Sequence, residues 1–346
     1  MPHKESITLV TVSAHAPHQT PYTLFSARLF LICLALLSAG ILPACGSALR
    51  PSAPQSESAR PSPVNQDQKT PSLSSEQLNQ LASAQVVLIG ETHDHPTHHR
   101  VQADVIRELK PKTVAFEMLD ARHQPLLDRL YELPPDTWDQ ALDWTKRGWP
   151  DFELYRPVFE AALEVKAKLL AAHPTPKTLH PLKLGGDLDK PLRDRLKLDV
   201  PLPDSERAAL AEIIRESHCG YANAQMTEAM IKAQRLKDAW MGEALISSTH
   251  PVILIVGRGH VHPKRGIPWA VKLLSPEAPQ VATIELSPSA QQDNQTLDHN
   301  ARLNVVKLQI KPHRRDDPCE RFREQLKQMK RAHQRVKQSK DAPSED

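Results

Sequence analysis

The sequence is short of aromatic residues, of cysteine and of long apolar runs, and each shortage closes off a class of function. Aromatics make up 4% of the 346 residues, and the net charge is only +3. Nucleic-acid-binding surfaces usually interleave a basic face with aromatic side chains, so nothing here argues for DNA or RNA as a partner. The four cysteines form no Cys-x-x-Cys-His, so covalent c-type haem attachment is not indicated. The prominent apolar run, residues 29–42, falls short of the ~20 residues that a membrane-spanning helix needs. Glycine is scarce, 11 residues against 31 prolines, and many of those prolines fall in the first 80 residues, where apolar periodicity is absent. What remains is 40% hydrophobic, ample for the core of one large domain or two small ones.

The apolar run has the length of a signal-peptide core and ends in Leu42-Pro43-Ala44-Cys45-Gly46-Ser47. It resembles a bacterial lipoprotein signal, with leucine three residues before the cysteine and a small residue just before it. On this reading residues 1–44 are a signal peptide, and Cys45 becomes a lipidated N-terminus that anchors the chain in the cell envelope. Gly46 rather than aspartate favours the outer membrane, facing the periplasm. Residues 45–74, rich in Ser, Pro, Gln and Ala, cannot offset the entropy of ordering and are expected to form a disordered tether.

The globular pattern begins at about residue 75 and is organised around residues 86–95. Val86-Val87-Leu88-Ile89 reads as a buried strand, and Gly90 opens a turn carrying Glu91, His93, Asp94 and His95. The grammar recurs at 252–262, where five apolar residues precede Gly257-Arg258-Gly259-His260-Val261-His262. Both turns read glycine, two residues, histidine. Between them, 113–118 reads as a strand with Glu117 near its carboxyl end. Helices are expected at 96–109, 158–172, 205–218, 223–247 and 267–274, further strands at 182–187 and 281–286, and an edge strand at 303–310. Residues 191–203 look irregular. Alternating strands and helices predict an α/β layered fold, a largely parallel sheet flanked by helices. The helical stretch 121–247 is expected as an inserted cap, and the basic tail 321–346 as a fraying helix.

Ligands of open α/β sheets gather outside the carboxyl ends of the strands, so Glu91, His93, Glu117 and His260 form the candidate catalytic set. Imidazole and carboxylate can act as general acid and base. They can also hold a divalent ion, Mn, Co or Zn, with His93, Glu117 and His260 as the ligands. Polar residues at strand ends also cap helices, but their joint occurrence on three strand ends strengthens the site reading. His95 and His99 lie about one helical turn apart, His98 is expected to meet solvent or a lid, and His262 is a secondary candidate. His218-Cys219 invites a thiolate reading. In an oxidising envelope a structural cysteine is favoured, and a Cys219–Cys319 disulfide stays open.

Gly90-Glu91-Thr92-His93-Asp94 with His98-His99, Phe116-Glu117-Met118, Gly148-Trp149-Pro150 with Tyr155, His218-Cys219-Gly220 and Gly257-Arg258-Gly259-His260-Val261 together resemble the ChaN family of iron-regulated lipoproteins. That family lies in the superfamily of the Tiki proteins and the erythromycin-esterase-like enzymes, and the resemblance covers about residues 75–320. One departure stands in the second long helix, where Lys237-Asp238 replaces the usual Arg-Asp and puts a bidentate clamp in doubt. The resemblance implies haem binding and iron uptake, with haem held by tyrosine between paired subunits and an outer-membrane haem or iron receptor as a partner. Tyr155, beside Trp149 and Phe152, is the first choice of cofactor-binding residue and Tyr221 the second. The alternative it implies is a metal-dependent hydrolase of Tiki-like type.

Overall fold

The computed structural model describes residues 72–288 and 305–312, with isolated positions between 317 and 331. The expected signal peptide, Cys45, nearly all of the tether and most of the basic tail lie outside the described residues.

Among the described residues six strands form one parallel sheet: β1 (Val86–Glu91), β2 (Thr113–Asp120), β3 (Lys168–His173), β4 (Val252–Gly257), β5 (Val281–Pro288) and β6 (Val305–Ile310). Their spatial order is β3-β2-β4-β1-β5-β6. Thus β4 lies between β2 and β1, with Phe116 paired to Ile255 and Glu91 to Gly257. All six residues of β1 and of β4 are buried, as a parallel strand covered on both faces requires.

Alternation along the strands sorts the core into two layers. Val87, Ile89, Val114, Phe116, Ile253 and Ile255 pack in one apolar cluster with side chains of α1 (Ser75–Ala82), α2 (Pro96–Leu109) and α5 (Phe152–Glu164). Val86, Leu88, Ala115, Leu254 and Val256 face the other way, onto Met241 and Leu245 of α9 (Ala224–Ile246) and Ile267 and Val271 of α10 (Ile267–Leu274). At about 1.5–3 kcal/mol for each fully buried large apolar side chain, these layers dominate the stability of the domain.

Helix starts follow their local chemistry. Ser74 and Gln77 form a reciprocal capping box at α1, Pro96 opens α2, Asp151 caps α5, and the Asn223 side chain accepts the Met226 amide at the start of α9. Shorter helices α3 (Gln124–Leu127) and α4 (Trp138–Ala141) lead into α5; α6 (Pro176–Lys183), α7 (Lys190–Arg195) and α8 (Asp204–Ser217) lead into α9.

The structure departs from the sequence expectations at three places. The helix expected over 158–172 stops at Glu164, because Lys166 takes a left-handed φ of 59°; the chain re-enters the sheet as β3. The strand expected at 182–187 is instead the end of α6 and a turn through Gly185 at φ 75°. The stretch expected to be irregular contains α7, capped by Asp189. The segment 121–247 is therefore helical on either side of an edge strand of the main sheet. Cys219, in the α8–α9 connection, and Cys319 form a disulfide, with Cα atoms 5.6 Å apart, so the pairing left open by the sequence is made.

Candidate functional site

Strand parity puts the two glutamates on opposite faces of the sheet. Glu91 continues the Val87–Ile89 face toward α2 and α5, whereas Glu117 points with Ala115 toward α9. Each is buried, 1% and 2% exposed, and burying a carboxylate costs several kcal/mol unless partners offset it.

Glu91 has four such partners. His93 Nδ1 donates to Oε1 at 2.7 Å, the Tyr155 hydroxyl donates to the same oxygen, Gln102 Nε2 donates to Oε2, and His99 Nδ1 lies 3.4 Å from Oε2. Burial alone would raise this carboxyl; the His99 and His93 charges and the hydrogen bonds from His93 and Tyr155 hold it below the ordinary glutamate range. Burial and the Glu91 charge together push the Tyr155 phenol well above its ordinary value.

Glu117 accepts the Gly257 amide at 2.7 Å and lies 3.1 Å from His260 Nε2. The other ring nitrogen, Nδ1, donates to Asp238 Oδ1 at 2.5 Å, and the Gln234 amide lies 2.9 Å from it. A ring with a carboxylate at each nitrogen is an imidazolium. Burial opposes that charge, but Glu117 and Asp238 outweigh it and hold the His260 pKa at about 9. Glu117, despite burial, is held well below its usual value, chiefly by His260. Burial lifts Asp238 to about 6.

His93 joins the halves across the sheet end, its Nε2 being 4.0 Å from Glu117. Against the opposing effect of burial, hydrogen bonding and charge from Glu91, then Glu117, raise its pKa. Trp149 covers it edge-on with ring centroids 5.1 Å apart. With 33% of its side chain exposed, against 7% for His260, His93 is where this chain can exchange a proton with solvent or ligand.

The glycines explain the spacing of both turns. A Cβ on Gly257 would sit 2.9 Å from His93 Nε2, and one on Gly90 would sit 2.8 Å from a methyl of Val261. Each turn thus occupies the room where the other lacks a side chain.

The structure therefore brings Glu91, His93, Glu117, His260 and Tyr155 together and adds Gln102, His99, Gln234 and Asp238. Beside the changed Lys237, Gln234 and Asp238, one helical turn apart, both reach His260. Asp238 could have been found as a charge among the buried positions of α9, and Gln102 as a polar residue between Val101 and Ala103 on the buried face of α2. His98, expected at solvent or a lid, is fully buried: it accepts the Thr92 amide at 2.9 Å, and burial, with the charges of His95, His99 and Arg258, lowers its pKa to about 2. His262 faces Glu206 and Arg265 instead.

The residues expected to hold a ligand are engaged with one another. Among the described residues no group of three or more His, Cys, Asp or Glu is arranged to hold a metal ion; His260, expected as a ligand with His93 and Glu117, has both nitrogens committed to carboxylates. Tyr155, expected to face a cofactor, is fully buried with its hydroxyl on Glu91, so iron could reach its oxygen only by displacing that contact. Tyr221 is 53% exposed in the α8–α9 connection, apart from the buried chain.

The family described as haem-binding uptake, Tiki superfamily, ChaN matches residues 77–271. The chain belongs to this ChaN family. The match takes in both glycine-histidine turns and Glu117. Among solved structures, ChaN of Campylobacter jejuni, described with cofacial haem binding, is 23% identical, with 63% of this chain and 87% of that one covered and a TM-score of 0.54; it shares the fold. The type III effector HopBA1 is 10% identical over 68% of this chain and 92% of that one, with a TM-score of 0.42. An erythromycin esterase, EreC, is 16% identical over 61% and 72%, with a TM-score of 0.35. Neither likeness carries further argument. Among curated proteins, none matches.

Proposed function

We propose that this ChaN-family chain binds haem at the corner between α8 and α9, with the Tyr221 phenolate as iron ligand, and carries it in the cell envelope as part of iron acquisition. The observation that carries the reading is the exposure of Tyr221 along the same helical corner as Ile213 and Met226, each 43% exposed. Haem needs an oxygen or nitrogen ligand with apolar neighbours for its faces. Tyr221 lies at the surface, whereas the Tyr155 hydroxyl is held on the buried Glu91 carboxylate. Haem held there would supply iron as cargo. Cofacial haems, as described for ChaN of Campylobacter jejuni, would bring two such corners together in a homodimer. A lipid on Cys45 would tether the carrier to the outer membrane, facing the periplasm, within reach of a haem or iron receptor. The Cys219–Cys319 disulfide suits that oxidising compartment.

Titration of haem into the purified chain should give a Soret band. Tyr221→Phe should weaken binding about tenfold or more, about 1.4 kcal/mol, while Tyr155→Phe should leave it nearly unchanged. Equal binding by wild type and Tyr221→Phe would overturn the assignment. Cys45→Ser should move the protein from the membrane to the soluble fraction of fractionated cells.

A further inference from the structure

A cavity of about 170 Å³ lies between α6, α7, α8 and α9 and shares no lining residue with the Glu91–His260 chain. Its floor is apolar, from Leu182, Leu188, Leu198, Leu202 and Ile231, all but Leu198 buried. Its wall carries charge, with Arg193, Arg207, Lys232 and Arg235 facing Asp187, Asp199 and Glu228.

The carboxylates are all taken. Arg193 pairs with Asp187 and Asp199, Lys232 with Asp187, and Arg207 with Glu228. Arg235 is the cation left over: among the described residues it forms no ion pair. Its Nη2 donates to the Val200 carbonyl, its guanidinium lies 5.5 Å over the Trp269 ring, and its Nε is buried without a hydrogen-bond partner. A buried donor left without a partner is unfavourable, and a guanidinium fixed on an aromatic face is pre-organised to take a carboxylate through two parallel hydrogen bonds. The cavity has room for the rest of such a ligand, since a void of about 150 Å³ holds benzene.

We propose that this cavity binds a small organic monocarboxylate with an apolar body of about five carbons, its carboxylate on Arg235 and its body on the leucine floor. Among the described residues the wall carries four cations against three carboxylates. The proposal stands on residues separate from those of the haem reading, and either can fail alone.

Isothermal titration of the full chain with hexanoate, and with hexanamide as its uncharged counterpart, tests it. Hexanoate should bind about tenfold or more tighter than hexanamide, and Arg235→Gln should erase the difference. Leu188→Trp, which fills the floor, should remove binding of both. Equal binding of the two ligands, or hexanoate binding unchanged in a folded Arg235→Gln or Leu188→Trp chain, overturns the proposal. Where circular dichroism shows Arg235→Gln unfolded, the ligand comparison and Leu188→Trp decide.

Discussion

At the scale of single residues, the site rests on two missing side chains. Gly257→Ala would drive a methyl into His93, and the resulting overpacking costs about 1–3 kcal/mol; the expected outcome is a lowered melting temperature together with a displaced His93 resonance in the NMR spectrum. His260 sets a pH dependence. It keeps its proton to about 9 in the fold, whereas an unperturbed imidazole loses it near about 6.5. Its contribution is therefore complete below pH ~6.5 and is lost as pH rises toward 9. Glu117, with its pKa depressed, contributes above the ordinary glutamate range and is lost in acid. Thermal melts from pH 6 to 9.5 should show the alkaline decline, and His260→Gln should flatten it. Glu91, His93, Glu117 and His260 are legible in the sequence because each sits at the end of an apolar run. His98 is not, since a histidine at a helix start reads the same whether it meets water or a backbone amide.

At the scale of elements, α9 acts on the site from the other face of the sheet. Gln234 and Asp238 lie one turn apart and both reach His260, so the helix fixes the ring as well as packing on it. Asp238→Asn should bring the His260 pKa down from about 9, as read by NMR titration. It should also destabilise the fold by about 3 kcal/mol, the cost of breaking a buried pair. Strands β1, β2 and β4 are legible as continuous apolar runs. β3 is not, because Leu169 and Leu170 in Lys168–His173 continue the apolar spacing of α5; the left-handed Lys166 that separates them leaves no mark in residue type. α6 misleads for the opposite reason: Leu182, Leu184 and the glycine pair resemble a strand and its turn, although Thr175-Pro176 is a helix start.

At the scale of the molecule, the disulfide joins the C-terminal segment to the α8–α9 corner across 100 residues of sequence. A closed loop of that length is worth up to about 4.7 kcal/mol of denatured-state entropy. Paired Cys219→Ser and Cys319→Ser should lower the denaturation midpoint accordingly, and reductant should have no further effect on the double variant. If Tyr221 binds haem, the same variants should weaken the haem complex, since Cys219 is two residues from the proposed ligand.

The strand order has a consequence for how such a chain is made. Synthesis runs from the N-terminus, and a chain extended only to Ser247 already holds β1, β2 and β3, yet β1 and β2 have no direct pairing; the strand that joins them comes next. The nascent protein therefore has its two flanks before its middle. The contacts that close the sheet span well over a hundred residues, the kind that form slowly. β4 carries Gly257 and leads directly into His260, so the ribosome delivers the keystone of the sheet and the last part of the polar site in the same dozen residues.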